Sequence, residues 1–308
     1  MASEVLTSIP LTSLPRIAKG KVRDLFALPD GDKPTLLFAT SDRISAYDVI
    51  LKNGIPTKGA ILTLISAKWF EVLASRVPGL KHHFLHLGPP PSSGLTQEEE
   101  QMLRGRSMTV RRLKIFPIEA IGKLSFPLWG SSAWTEYQKT QTIHDLPQPA
   151  GLAQCERLPK PIYTPSTKAE LGDKDINISP DEARKIVGDK YASRIEELAL
   201  ACYNAGAAYA EERGIIIADT KFEFGLDEET DEVYLVDEVL TPDSSRFWSK
   251  TDYEVDKQVL RNWLTENGLK GKDDVEMPAE VVEKTKARYT EVFERLTDNS
   301  LEDALKKL

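Results

Sequence analysis

The sequence is poor in cysteine and has no long apolar run. Two of its 308 residues are cysteines, Cys155 and Cys202, which excludes a disulfide framework and favours a reducing, cytoplasmic setting. No apolar run approaches the roughly 20 residues of a membrane-spanning helix, so we expect no membrane partner. The N-terminus has no basic segment followed by an apolar core, which argues against a secretory signal.

Positive charge is outnumbered by negative charge. The chain has 40 Lys and Arg against 48 Asp and Glu, a net charge of −8, which argues against a nucleic-acid partner but leaves room for a local basic cleft. The P-loop and Rossmann glycine motifs are missing, and so are the HRD and DFG elements of protein kinases. A nucleotide site in this chain must therefore use residues other than those motifs.

Histidine is also rare, with four in the chain. Three of them, His82, His83 and His86, cluster in KHHFLH. Neither cysteine nor carboxylate stands at a ligand spacing from them. The cluster therefore predicts a surface turn rather than a metal site.

The length and the order of elements predict two lobes and an α+β fold rather than a doubly wound parallel sheet. We expect a β-rich nucleotide-binding lobe at 1–116, opened by a hairpin in which PDGDK joins RIAKGKVRDLFAL to TLLFATS. Helical spacing marks 59–77, before Pro78 and Gly79. The segment LGPPPSSGLTQEEE predicts a solvated surface insertion.

The second lobe, 117–308, is predicted to carry the metal and substrate sites. It opens with a region expected to be irregular, from SAWTEYQKT to LPKPIYTPSTKAE. Ser179, Pro180 and Glu182 then predict the capped start of a helix. A second helix, with Cys202 buried in it, is expected to stop at Gly214. Two more helices close the chain.

Two short segments, KFEFG and YLVDE, predict a hairpin that brings carboxylates together. Strand alternation puts Lys221 and Glu223 on one face and Phe222 and Phe224 on the other. A turn centred on Thr230 would set Glu223 opposite Asp237, with Cβ atoms about 4.5–5.5 Å apart. Like charges at that distance need a cation between them, either Lys221 or Mg²⁺. A solvated surface hairpin is the alternative.

A basic segment strengthens the nucleotide interpretation. In AKGKVRD, Lys19, Lys21 and Arg23 recur at every second position, so we expect them on one strand face. Gly20 between them permits a close approach of the backbone to a ligand. A basic strand in one lobe and paired carboxylates in the other predict a cleft for Mg-ATP in a two-lobed enzyme.

Several motifs then carry a resemblance. In order along the chain, GKVRDLF, SDRISAYDVIL, IPTKGAILT, TPSTKAE, GDKDINIS, ADTKFEFG and VDEVLTPDSSRFW resemble the SAICAR synthetase family, in particular its fungal form. The resemblance runs from Ile17 to the C-terminal helices. It implies a fold related to ATP-grasp. It also implies ATP-dependent joining of L-aspartate to an aminoimidazole carboxylate ribotide, through an acyl phosphate, in purine biosynthesis.

The resemblance also implies roles for individual residues. Glu223 and Asp237 match magnesium ligands, while Lys221 and Asp219 face the reacting centre. ATP phosphates would meet Lys21 and Arg23, and adenine would lie against the hinge formed by Arg112, Leu113, Lys114 and Ile115. The substrate-binding positions are Ser45, Lys58, Glu119, Ser131, Ser132, Lys168, Asp175, Asp243 and Arg246. The expected partners are these small molecules alone, and we expect a monomer.

One segment departs from the family pattern. In PIEAIGKLSFPLWGSSAW, Gly122 and Lys123 stand where the family has an aliphatic residue and an arginine, and extra residues precede the serine. Either Ser131 or Ser132 is then the matching serine. We expect 122–131 to form a mobile or displaced loop, with Lys123 short of the ribotide phosphate. The alternatives are a Mg-ATP-binding homologue with impaired catalysis and a two-lobed small-molecule kinase.

Overall fold

The computed structural model describes residues 5–29, 31, 33–125, 132–153, 156–168, 175–249 and 257–308. Helices and antiparallel sheets make up this part of the chain, so the predicted α+β class is confirmed. None of the helices in these ranges is long and apolar enough to cross a membrane.

The strands, in chain order, are β1 (Arg16–Lys19), β2 (Arg23–Ala27), β3 (Thr35–Thr40), β4 (Ser45–Ala46), β5 (Val49–Ile50), β6 (Phe84–Leu87), β7 (Ser107–Arg111), β8 (Lys114–Ser125), β9 (Thr142–Ile143), β10 (Leu146–Pro147), β11 (Arg157–Thr167), β12 (Ile215–Asp227), β13 (Glu232–Val236) and β14 (Ser245–Ser249). The helices are α1 (Lys58–Arg76), α2 (Gln97–Leu103), α3 (Ser132–Thr140), α4 (Pro180–Val187), α5 (Asp189–Glu211), α6 (Gln258–Glu266), α7 (Ala279–Thr297) and α8 (Leu301–Lys306), with a 3₁₀ turn at Pro91–Ser93.

Two larger sheets organise these elements. The first has the order β1–β2–β3–β7–β6, and the second has the order β11–β8–β12–β13, with β14 also paired to β12. The chain passes from the first sheet to the second through Arg112 and Leu113, which join β7 to β8. One hydrophobic core includes Phe38 of the first sheet together with Phe222 and Tyr203. The division into lobes 1–116 and 117–308 stays a prediction.

The basic segment at the start of the first sheet does not form one strand, contrary to our expectation. The predicted β2–β3 hairpin is present, but β1 ends at Lys19 and β2 begins at Arg23. Residues 20–22 make a tight turn in which Gly20 N–H donates to the Arg23 carbonyl at 2.7 Å. A Cβ at Gly20 would lie 3.0 Å from that carbonyl oxygen. Lys21 therefore sits in the turn and shares no strand face with Arg23.

The start of the second helical region follows its sequence signals. The side chain of Ser179 caps α4 and Glu182 completes the capping box, as predicted. The helix α5 buries Cys202 completely, but it ends at Glu211, before Gly214. Gly214 adopts the left-handed conformation (φ 73°) in the turn that leads into β12.

Of two expectations about loops, one holds in part and one is wrong. The insertion 87–100 is mostly exposed or half-buried, as predicted. The acidic run 98–100 belongs to α2, and Glu99 is only 6% exposed, because it accepts backbone hydrogen bonds from Thr12 at 2.7 Å and Ser13 at 3.1 Å. The region expected to be irregular contains α3 and the 11-residue strand β11. Prolines hide this strand in the sequence, and they are tolerated because β11 lies at the edge of its sheet.

Candidate active site

The hairpin of β12 and β13 has a register one residue away from the predicted one. Glu223 lies opposite Val236, and Asp227 lies opposite Glu232. Four residues, 228–231, connect the paired ends, so the turn is not centred on Thr230. The predicted direct pair of Glu223 and Asp237 is therefore wrong. Asp237 comes one residue after the end of β13, where an extended chain would turn its side chain to the opposite face.

The backbone conformation of Asp237 returns its side chain to the face that carries Glu223, which the register alone would not do. Its φ angle is 62°, a left-handed conformation that ends the strand alternation. The Asp237 carboxylate contacts the guanidinium of Arg23, which enters from the first sheet. Burial lowers the pKa of Lys221, whereas the charge of Glu223 and, more weakly, that of Asp237 raise it. The two acids therefore share one site without being a cross-strand pair.

The carboxylate directly opposite Glu223 belongs to Glu119 on β8. The Lys221 ammonium lies 2.5 Å from Glu119 and 3.4 Å from Glu223, and Lys168 contacts the other oxygen of Glu223. Burial by itself lowers the pKa of Lys221, but the two glutamates raise it above its ordinary value. Lysine is thus the cation that separates the facing acids. Asp175 lies close enough to raise the pKa of Glu119, after the larger effect of burial.

A second charged group follows on the same face of β8 and β12. Asp219 lies opposite both Lys123 and Arg246 in the sheet. The Lys123 ammonium is 3.0 Å from one carboxylate oxygen, and Nε of Arg246 is 3.5 Å from the other. Burial would raise the pKa of Asp219, but Arg246 and Lys123 hold it below its usual value. Together Glu119, Lys123, Asp219, Lys221 and Glu223 form the charged face of the second sheet.

The position of Lys123 corrects our expectation of a displaced loop. Residues 122–125 are part of the strand β8, and Lys123 is 6% exposed. Gly122 lies against the Tyr203 ring, where a Cβ would come within 2.8 Å of ring atoms, so a larger residue would push α5 away. Residues 126–131, including Ser131, lie outside the described part of the chain, as does the side chain of Ser132, which begins α3.

The predicted phosphate-binding residues lie in different environments. Arg23 is buried, and its guanidinium contacts Asp237 and also Glu238 at 3.2 Å. Lys21 is half exposed and pairs with Asp48 at 2.6 Å. Arg23 therefore faces the carboxylates of the second sheet, whereas Lys21 lies in the turn at the end of the first.

The predicted adenine hinge is the connection between the two sheets. Arg112, Leu113 and Lys114 line a cavity together with Pro34 and the turn after β12. Ile115 is 43% exposed. Leu113 lies over Gly225, where a Cβ would be 3.1 Å from the Leu113 Cβ. The hinge thus offers exposed apolar surface beside the hairpin that carries Glu223.

A third charged cluster surrounds Asp243. Its carboxylate accepts from Lys58 at 2.7 Å and from the Tyr289 hydroxyl at 2.6 Å, and Lys257 lies 3.4 Å away. Burial raises the pKa of Asp243, but Lys257 and Lys58 lower it well below its ordinary value. Lys257 and Tyr289 were missed from the sequence, since they occur in ordinary amphipathic patterns. Ser45 is half-buried at the start of β4.

His83 was also missed, and its expected place in a surface turn is wrong. It is 2% exposed, and its Nε2 lies 3.2 Å from the backbone carbonyl of Asp237. Burial lowers the pKa of His83 to about 3, so the ring is neutral. Within the described residues, no group of three His, Cys, Asp or Glu side chains could hold a metal ion by itself.

These observations define an α+β enzyme whose two sheets meet at a cluster of facing carboxylates and basic side chains. The sequence model of the SAICAR synthetase family matches residues 16–278. The phosphoribosylaminoimidazole-succinocarboxamide synthase of Saccharomyces cerevisiae is 47% identical over 298 residues, which cover 92% of this chain and 94% of the yeast protein. The protein of the same name from Schizosaccharomyces pombe is 49% identical over 296 residues, covering 92% and 94%.

Solved structures agree. The S. cerevisiae SAICAR synthase complexed with SAICAR has a TM-score of 0.83 at 43% identity, covering 97% of this chain and 99% of that one. A SAICAR synthetase solved in complex with ADP has a TM-score of 0.64 at 24% identity, covering 92% of this chain and 98% of that one, and shows the fold alone. The chain belongs to the SAICAR synthetase family, and it is a ligase of purine biosynthesis.

Proposed function

We propose that the chain uses Mg-ATP to join L-aspartate to 5-amino-1-(5-phosphoribosyl)imidazole-4-carboxylate, giving SAICAR, ADP and phosphate. The observation that carries the proposal is the charged face, where acids and cations alternate and Arg23 approaches from the other sheet. The yeast relative solved with SAICAR supports the product. We expect the reaction to take place in the cytoplasm, on a monomer.

The chemistry explains why so many charges are needed. A carboxylate is a poor electrophile, so its oxygen first attacks the γ-phosphorus of ATP, and ADP leaves. The aspartate amine then attacks the acyl carbon, phosphate leaves with the electron pair of the C–O bond, and the amine loses a proton. All three reactants are anions, so cations must stabilise the charge that is transferred. Lys221 is the cation at the centre of the charged face, where it contacts both Glu119 and Glu223.

The residues present fit a magnesium ion. Mg²⁺ takes one or two protein carboxylates and completes its octahedron with water and phosphate oxygens. Glu223 and Asp237 supply two such carboxylates in one site. Since no larger ligand group occurs among the described residues, the nucleotide and water would provide the other ligands. When bound, the ion would neutralise charge on the transferring phosphoryl group.

ATP and the ribotide are assigned to the two sides of the charged face. We assign ATP phosphates to Lys21 and Arg23, and adenine to the hinge at 112–115. The ribotide and aspartate are assigned to the substrate-binding positions named above.

One guanidinium nitrogen of Arg246, Nη1, is buried without a hydrogen-bond acceptor among the described residues. A phosphate oxygen would satisfy it, because Arg binds phosphate through two parallel hydrogen bonds.

An assay of ADP release tests the proposal. The enzyme is supplied with Mg-ATP, ribotide and aspartate, and each is omitted in turn. Release that requires the ribotide and aspartate together, with SAICAR formed in equal amount, supports the proposal. Binding of Mg-ATP without any release would identify a homologue with impaired catalysis. Release over many turnovers that does not depend on aspartate would contradict the ligase reaction.

A further inference from the structure

His83 occupies the junction of the two sheets. Its backbone N–H donates to the Leu235 carbonyl on β13 at 3.0 Å, and its own carbonyl accepts from Arg111 on β7 at 2.8 Å. The ring packs edge-on against Phe38, with centroids 5.3 Å apart, and against Phe70. Backbone and ring together leave His83 little freedom, so its Nε2 has a fixed direction.

That direction is toward the backbone of Asp237. The carbonyl can only accept, so the contact at 3.2 Å requires a proton on Nε2 of His83. The carbonyl belongs to the residue with the left-handed backbone, a conformation that most L-residues avoid. The hydrogen bond fixes the peptide between Asp237 and Glu238, and with it the turn that ends β13.

We propose that His83 is a positioning residue for Asp237, holding its left-handed turn so that the carboxylate lies on the charged face and can bind a divalent cation. The inference rests on the proposed function, in which Asp237 and Glu223 hold the metal of Mg-ATP. His83 itself contacts neither metal nor substrate. Without its donor, the turn at Asp237 relaxes toward extended backbone, which directs the carboxylate away from Glu223.

The test measures metal-dependent nucleotide binding by calorimetry, without turnover. The affinity for ATP is determined with Mg²⁺ and again with EDTA, and the ratio of the two affinities is compared among variants. His83→Phe keeps an aromatic ring and removes the donor, and we expect the ratio to fall roughly threefold to tenfold, as loss of one hydrogen bond implies. The affinity in EDTA stays unchanged. His83→Gln, whose amide reaches the same carbonyl, restores the ratio.

His82→Phe is the matched control. His82 lies one residue earlier and its ring packs against Phe70 and Phe84, so this variant keeps the wild-type ratio. Should His83→Phe lack a cooperative unfolding transition, His83→Asn and His83→Gln decide the matter, because Asn is too short to reach the carbonyl. Equal ratios for these two, or an unchanged ratio in a folded His83→Phe, would overturn the inference. A wild-type ratio near one would contradict the metal site of the proposed function instead.

Discussion

Removing a single hydroxyl, in Tyr289→Phe, tests how the C-terminal helix α7 supports the site. The Tyr289 hydroxyl donates to the Asp243 carboxylate, whose side chain is 6% exposed, at 2.6 Å, and a hydrogen bond to a charged group contributes about 1.5–3 kcal/mol. Lys58 at 2.7 Å and Lys257 at 3.4 Å still compensate the carboxylate, so the loss lies near the lower bound. We expect the free energy of unfolding to fall by about 1.5 kcal/mol, roughly tenfold in the folding equilibrium.

Urea denaturation measures this loss, which should appear as a lower midpoint at an unchanged slope. Tyr209→Phe is the control, because the Tyr209 hydroxyl also binds α7 but donates to a neutral acceptor, the Leu296 carbonyl, at 2.8 Å. Its expected loss is about 0.5–1.5 kcal/mol. Since Asp243 is assigned to the ribotide site, Tyr289→Phe should also raise the KM for the ribotide, and Tyr209→Phe should not. Equal losses of stability and equal KM values in the two variants would refute the reasoning.

Two further predictions concern the charged groups. Glu223→Gln should weaken Mg-ATP binding by about tenfold or more while the protein stays folded, because a carboxylate facing the metal is lost; unchanged affinity by calorimetry would remove Glu223 from the metal site. The pKa of Asp243 is lowered from 3.8 by Lys257 and Lys58, despite burial, so its stabilising effect is complete above pH 3.8 and is lost as the pH falls through the folded-state pKa. Below pH 3.8 the free energy of unfolding should therefore fall less steeply in Asp243→Asn, and parallel pH profiles would contradict this.

The sequence predicted those helices and strands whose signals lie within the element or directly beside it. Helical spacing and a following Pro-Gly gave α1, and the Ser179 capping box gave the start of α4. Alternation gave the buried face of β12, where Phe222 and Phe224 are at most 1% exposed. In each case the signal lies within a few residues of the element it specifies, so no tertiary contact is needed to interpret it.

Features set by distant contacts were not predictable in this way. The register of the β12–β13 hairpin depends on how many residues the turn takes up, and one residue moved Asp237 off its expected partner. Glu99 appears in the sequence as part of a solvated acidic run, yet the N-terminal segment covers it. His83 gives no signal at all, because its partners are Asp237 and two strands far along the chain.

For the unusual segment after Glu119, the structural reason for our expectation is wrong, and the expectation itself stays a prediction. We expected Lys123 to miss the ribotide phosphate because of a displaced loop, but Lys123 lies in β8 and its ammonium is 3.0 Å from Asp219. A lysine carries a single point charge. If the Lys123 ammonium turned to a phosphate, the buried Asp219 would be left with Arg246 as its neighbouring cation. Arg246 differs, since its Nε faces Asp219 while its Nη1 has no acceptor in the described ranges. In the proposed reaction the phosphate contact therefore falls to Arg246, and Lys123 stays paired with Asp219 beside it.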